Sequence, residues 1–224
     1  MSSSTTPSTL NSPVTVPADS THGVLADFLQ ETSALTRRLF IQLQRRPSTL
    51  LAGIIQPLMW LILFGALFQN APTGFLGSEI SYGRFIGAGI IVFTAFGGAL
   101  NAGLPVMFDR EFGFLNRLLV APLASRYSIV MASAIFITAM STIQTIAIIA
   151  MSAFLGAGLP SATGLVLVGA IVLLLVVGVT ALSLGLAFSL PGHIELIAVI
   201  FVTNLPLLFA STALVPLSFM PPWL

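Results

Sequence analysis

The residues of this chain that could do chemistry are concentrated in one stretch, Asp109–Arg126, DREFGFLNRLLVAPLASR. It holds five of the fifteen charged side chains, set between two long apolar runs. Its opening triple, Asp109-Arg110-Glu111, can form ion pairs and cap helix ends, and Arg117 and Arg126 add positive charge further on. Asp109 is a candidate N-cap for a short helix with Phe112, Leu115 and Leu119 on one face and Arg110, Asn116 and Arg117 on the other. Pro122 would end that helix, and Ser125 could cap the next. On pattern alone two readings stay open. The segment either takes displacement from a soluble partner and passes it to both apolar runs, or is a solvated loop whose charges only set topology.

Other chemistry is poorly provided for. The chain has no cysteine, so it has no disulfide, no thiolate nucleophile and no Cys-based metal site. It has no lysine either, all eight basic residues being Arg. A phosphate-binding loop needs its lysine, and no GxxxxGK[ST] string occurs. Any ATP and Mg would therefore sit on a partner subunit. The three aspartates, Asp19, Asp27 and Asp109, lie outside the apolar runs, which argues against aspartyl intramembrane proteolysis. No GxSxG string places a serine nucleophile, and His193 with Glu195 is too few ligands for a metal. His193 reads as an interfacial residue in a turn, and Glu195 as the cap of the helix that follows it. No charge falls at the centre of a run, so ion coupling has no evident carrier. The net charge of +1 says nothing useful about nucleic acid, and no nucleic-acid partner is expected.

The elements that position the charged stretch follow from composition. The chain is 56% hydrophobic and only 7% charged, against roughly 25% charge in soluble domains. With a mean hydropathy of +1.04, it reads as an all-α integral membrane protein, a polytopic helical bundle. Residues 1–21 are Ser/Thr/Pro-rich and read as a disordered tail. Residues 22–46 have Leu25, Phe28, Leu29, Leu35, Leu39 and Leu43 at helical spacing, with Asp27, Glu31, Arg38 and Arg45 opposite. They form an amphipathic helix for the membrane surface. It ends in Arg37, Arg38, Arg45 and Arg46 before Pro47.

Five spans follow, at about residues 48–69, 83–107, 127–155, 165–190 and 195–216. Pro57 within the first is tolerable if a neighbouring helix satisfies the carbonyl it frees. Ala95, Ala99 and Gly103 make a row of small residues for close helix approach, as do Ala181, Gly185 and Ser189. Asn101 and Pro105 mark where the second span leaves the hydrocarbon. Seven of the eight Arg fall on one side of this arrangement and only Arg84 near the other. By the positive-inside rule the N-terminus and residues 109–126 are cytoplasmic and the C-terminus is outside. Asn101, Thr138, Ser141, Thr145 and Asn204 mark polar and small faces of the spans. They either line a path or hold helices together.

The string MFDREFGFLNRLLVAPLASRYSIVMAS (Met107–Ser133) resembles the signature of ABC-2 type transporter permeases. It has their acidic-Arg-Glu opening, an aromatic-Gly pair (Phe112-Gly113), a Leu-Leu step (Leu118-Leu119) and a Pro-Leu turn (Pro122-Leu123). A second string, NLPLLFASTALVPLSFMPPWL (Asn204–Leu224), is similar to the family's fifth span and the segment after it. The region LTRRLFIQLQRRPSTLLAGIIQPLMWLILFGALFQ looks like cyanobacterial and plastid-type members. The resemblance covers nearly everything after residue 22, and makes residues 47–224 an ABC-2 type transmembrane domain. It implies a permease half that pairs with a second copy or paralogue and with separate ATP-binding subunits, exporting a lipid, polysaccharide or drug-like substrate. The membrane would be a bacterial plasma membrane or a plastid membrane. Carried over by position, Asp109, Arg110, Glu111, Gly113, Leu118, Leu119 and Pro122 would make the coupling contact with the ATPase. Arg37, Arg38, Arg45 and Arg46 would belong to a connecting helix. The family pattern continues into an Asn-Pro stretch and a sixth span, which here would lie beyond Leu224. The chain thus reads as a fragment or a shortened variant. The competing reading is a non-transporting scaffold that docks a cytoplasmic ATPase.

Overall fold

The computed structural model describes residues 21–67, 82–113 and 127–213. Among the described residues every regular element is helical: α1 (Thr21–Gln44), α2 (Pro47–Leu67), α3 (Tyr82–Leu100), α4 (Gly103–Glu111), α5 (Tyr127–Ser152) with a π-helical turn after it (Ala153–Ala157), α6 (Ala162–Ser189) and α7 (His193–Ala210). Five helical stretches among them are long and apolar enough to cross a membrane, and the chain is an all-α integral membrane protein. Residues 1–20 of the tail, the loop before Tyr82, Leu115, Asn116, Arg117, Leu118, Leu119, Pro122, Ser125 and Arg126 lie outside the described residues. So does everything after Ala213.

Local chemistry explains where these helices start and stop. Pro47 opens α2 at the position where its missing N–H is not needed. Ser161 caps α6, its Oγ accepting from the Gly164 N–H at 3.1 Å. The chain turns between α5 and α6 through Gly156 and Gly158, whose φ values of 88° and 75° suit only glycine well. The last helix stops at Ala210, earlier than the sequence pattern suggests, because Ser211 is extended there. The chain then passes over Gly89, where an added Cβ would collide with the backbone of Ala213.

The expected second span is two helices. α3 ends at Leu100 and α4 restarts at Gly103, with Asn101 and Ala102 in a tight turn. Pro105 has no N–H for the Asn101 carbonyl, and the Leu104 N–H takes that oxygen instead at 3.1 Å. This register overturns the reading of Asp109 as an N-cap. It lies in the last turn of α4, whose first residue is Gly103.

α3 is the hub of the bundle. Ile86, Ile90, Ala95 and Ala99 are buried against Leu61 of α2, Ile148 of α5, and Val172 and Val176 of α6. The row Ala95, Ala99 and Gly103 is buried as expected. At its end the Gly103 N–H donates to Ser183 Oγ of α6 at 2.9 Å, and that hydroxyl donates on to the Leu100 carbonyl. A Cβ at Gly103 would stand 2.5 Å from the Ser183 carbonyl oxygen. With no hydrophobic drive between helices in lipid, such close packing and inter-helix hydrogen bonds are what hold them together. The row Ala181, Gly185 and Ser189 is instead exposed. α6 buries Val176, Thr180, Leu184 and Ala187, the neighbouring stripe. Much of the outer surface of α6 and α7 is exposed Leu, Val and Phe, which suits contact with lipid.

Candidate functional site

The charged triple at the end of α4 reaches three other helices. Successive residues of a helix point about 100° apart, so Asp109, Arg110 and Glu111 diverge. Asp109 takes Arg38 of α1, whose Nη2 donates to both carboxylate oxygens at 3.0 Å. Arg110 turns to the C-terminus of α6. Its Nη1 donates to the Ala187 and Phe188 carbonyls at 3.0 and 3.3 Å, and its Nη2 to those of Leu190 and Pro191. Glu111 takes the N-terminus of α7: Oε1 accepts from the His193 N–H, and Oε2 lies against His193 Nδ1, both at 2.6 Å. The carboxylate can only accept, so Nδ1 carries the proton in this pair.

The contacts of Arg110 and Glu111 answer needs of the backbone. A helix leaves its last four carbonyls unpaired. At the end of α6 the Leu190 N–H covers Leu186, and Arg110 covers Ala187 and Phe188. At the start of α7 the cap residue is Gly192, which has no side chain to offer. Glu111 supplies the acceptor from another helix, while Glu195 stands in the first turn of α7, where the dipole favours a carboxylate. A small core of Leu100, Met107, Ala187, Leu196 and Ile200 lies in the same α3, α4, α6 and α7 region. Gly113, with φ 74°, closes α4, its N–H reaching the Arg110 carbonyl at 3.2 Å. Phe112 is 82% exposed, stacked on Phe108, which also lies 5.2 Å from the His193 ring.

The end of α1 divides its predicted basic set. Arg38 is held by Asp109, while Arg37, Arg45 and Arg46 are exposed. The polar side of α1 is not wholly solvated, because Glu31 accepts from Ser128 of α5 at 3.0 Å. Phe40 meets Phe136 edge to face at 5.2 Å, fixing the same pair of helices.

Deeper in the bundle is a cleft of about 490 Å³ walled by α2, α3, α5 and α7. Of the predicted polar set, Asn101, Ser141 and Asn204 line it. Thr138 and Thr145 stand on α5 outside its wall. Gln56, Trp60, Thr94 and Gln144 line the cleft as well. Gln144 had a signal. Pro57 leaves the Gly53 carbonyl without its helical partner, and Gln144 Nε2 donates to that oxygen at 2.9 Å. A smaller space of about 130 Å³ shares Gly98, Asn101, Phe136 and Ile137 with the cleft and runs to Arg38 and Asp109. The charged end and the cleft are thus neighbours.

An apolar, many-spanned bundle with an uncharged cleft is the architecture of a membrane permease subunit. The chain belongs to the ABC-2 type transporter family, whose model it matches over residues 30–224. It is 61% identical over 198 residues to a protein of Porphyra purpurea described as "Putative transport permease ycf38", covering 88% of this chain and 68% of that one. Proteins of Pyropia yezoensis and Cyanophora paradoxa with the same description are each 59% identical, over 88% of this chain and 67% and 68% of theirs. No solved structure shows significant similarity to it.

Proposed function

We propose that this chain is the membrane-spanning subunit of an ATP-driven exporter whose ATP-hydrolysing subunit is a separate protein docked at the α4 end. One observation carries the reading: Asp109, Arg110 and Glu111 tie α4 to α1, α6 and α7 at once. A push on this end is therefore shared with α1, α6 and α7, and α7 lines the cleft through Asn204 and Leu208. Among the described residues, the exposed Arg37, Arg45, Arg46 and Phe112 offer side chains for a partner to grip. The same end carries most of the chain's Arg, which supports its placement in the cytoplasm. The cleft is one half of a path completed by a second permease copy or paralogue, through which a lipid, polysaccharide or drug-like molecule leaves. The membrane is a bacterial plasma membrane or its plastid counterpart.

Purification of the chain from its native membrane, followed by identification of any co-purifying protein with a phosphate-binding loop, tests the docking. Substrate-dependent ATP hydrolysis and vesicle-to-medium transfer in proteoliposomes then test export. An ATPase that binds but moves nothing would leave a docking scaffold, and no ATPase at all would remove the reading.

A further inference from the structure

The cleft presents hydrogen-bond acceptors and no charge. Asn101 Nδ2 donates to the Gly97 carbonyl at 2.7 Å, and Gln144 Nε2 to that of Gly53. A carbonyl only accepts, so both amides are fixed with their nitrogens turned to the backbone and their oxygens left without a protein partner. Two further oxygens in the wall are orphaned. Ser141 Oγ, on a side chain only 2% exposed, and Asn204 Oδ1 are both buried with no hydrogen bond. Both are closed to water and so to any larger molecule, and they find partners only when the wall rearranges as a molecule enters. Among the described residues no Asp, Glu, Arg or His lines it, and an ion there would lack a counter-charge, which is costly at membrane depth. Thr49, Gln56 and Thr94 add further polar groups, and the rest of the wall is apolar or aromatic, with Trp60 and Phe93 lining the same space.

We propose that the cleft receives an uncharged, hydroxyl-bearing amphiphile, a lipid whose neutral polyol or sugar headgroup donates O–H bonds to Asn101, Gln144, Asn204 and Ser141 while its chain lies against Trp60 and Phe93. The volume falls within the roughly 300–1,000 Å³ of ordinary ligand clefts, so one headgroup with the start of its chain fits. The proposal rests on the exporter reading for the word substrate, though the binding site stands without it.

The test uses the full chain, with the ATPase subunit that accompanies it, in lipid nanodiscs. The probes are dioleoylglycerol carrying one glucose, plain dioleoylglycerol, an anionic phosphatidylglycerol and a cationic trimethylammonium lipid of the same chains. Radiolabelled glucosyl lipid should bind saturably, and the other three should compete at least about tenfold less well, the loss expected when buried acceptors meet no donor. Ser141→Ala should weaken binding about three- to tenfold. The same change should raise the melting temperature of the unliganded protein, because it removes a buried hydroxyl with no partner. Asn204→Leu should weaken binding further. Equal competition by plain dioleoylglycerol, tighter binding of either charged lipid, or unchanged binding in both variants would overturn the proposal. ATPase activity is read in parallel. Stimulation by another compound, without glucosyl-lipid binding, would sink the substrate class and keep the exporter. Binding without an associated ATPase would keep the site and sink the exporter.

Discussion

Replacing Arg110 by Met removes the charge and the five donors while keeping much of the length of the side chain. The guanidinium covers two of the four carbonyls that end α6, those of Ala187 and Phe188, and two more in the turn to α7. Charge-assisted hydrogen bonds are each worth about 1.5–3 kcal/mol net, and a cation at a helix C-terminus adds about 0.3–1 kcal/mol. Water can replace part of this, because Arg110 is only partly buried. A net loss of about 2–4 kcal/mol is expected after that discount. Arg110→Lys should recover less than half, since one ammonium cannot span four carbonyls in a fixed fork. The assay is equilibrium unfolding in mixed micelles, with a local probe beside it. Wild type has no cysteine, so Ile194→Cys, exposed in the first turn of α7, reports on that helix alone. Its labelling rate should rise in the Arg110→Met background. An unchanged unfolding midpoint with an unchanged labelling rate would refute the claim that Arg110 holds the α6–α7 junction.

Three other outcomes follow from the same contacts. Glu111→Ala should leave insertion and ATPase binding intact but uncouple ATP hydrolysis from export, measured as the ratio of substrate moved to ATP consumed in proteoliposomes; a normal ratio would show that the α7 tie carries no work. Gln144→Leu should cost about 1–3 kcal/mol by orphaning the Gly53 carbonyl. Pro57→Ala, which restores the backbone N–H, should rescue much of that loss in a double-mutant cycle, and strict additivity would contradict the pairing. Gly89→Ala should abolish stable packing of the α7 end, since its Cβ would fall 1.8 Å from the Ala213 carbonyl oxygen; wild-type protease resistance of that variant would show that the chain passes elsewhere.

The spans were legible because run length is a strong signal in lipid. α2 and α5 begin within a residue of the positions read from the sequence. The freed carbonyl of Gly53 was legible in principle, since Pro57 names its orphan by spacing alone. The charged triple was not. Its function depends on α4 starting at Gly103, and the sign of that start is Pro105, which a first turn tolerates but which reads equally well as the exit from a span. Glu111 and His193 are 82 residues apart, and no local pattern links them. The split of the polar face on α5 has no local sign either. Thr138, Ser141 and Thr145 share a helical face, but the wall of the cleft runs through Ile137, Met140, Ser141 and Gln144, a stripe set by how α5 leans on α3.

The triple on α4 also limits how this end can work. A loop whose charges were all presented to a partner would lose them to that partner on docking. Here Asp109, Arg110 and Glu111 are already engaged within the subunit, so they serve to make the end rigid. α7 is held at its first residue, His193, and Asn204 lies eleven positions along it. At a rise of about 1.5 Å per residue that is an arm of roughly 16 Å, so a tilt of about 10° carries Asn204 through roughly 3 Å. A displacement of that size is enough to break or make a hydrogen bond to a ligand in the cleft. Under the proposed function, rigidity at the α4 end would let a small movement there change affinity in the cleft, and weakening any one of the three ties should cost coupling before it costs binding.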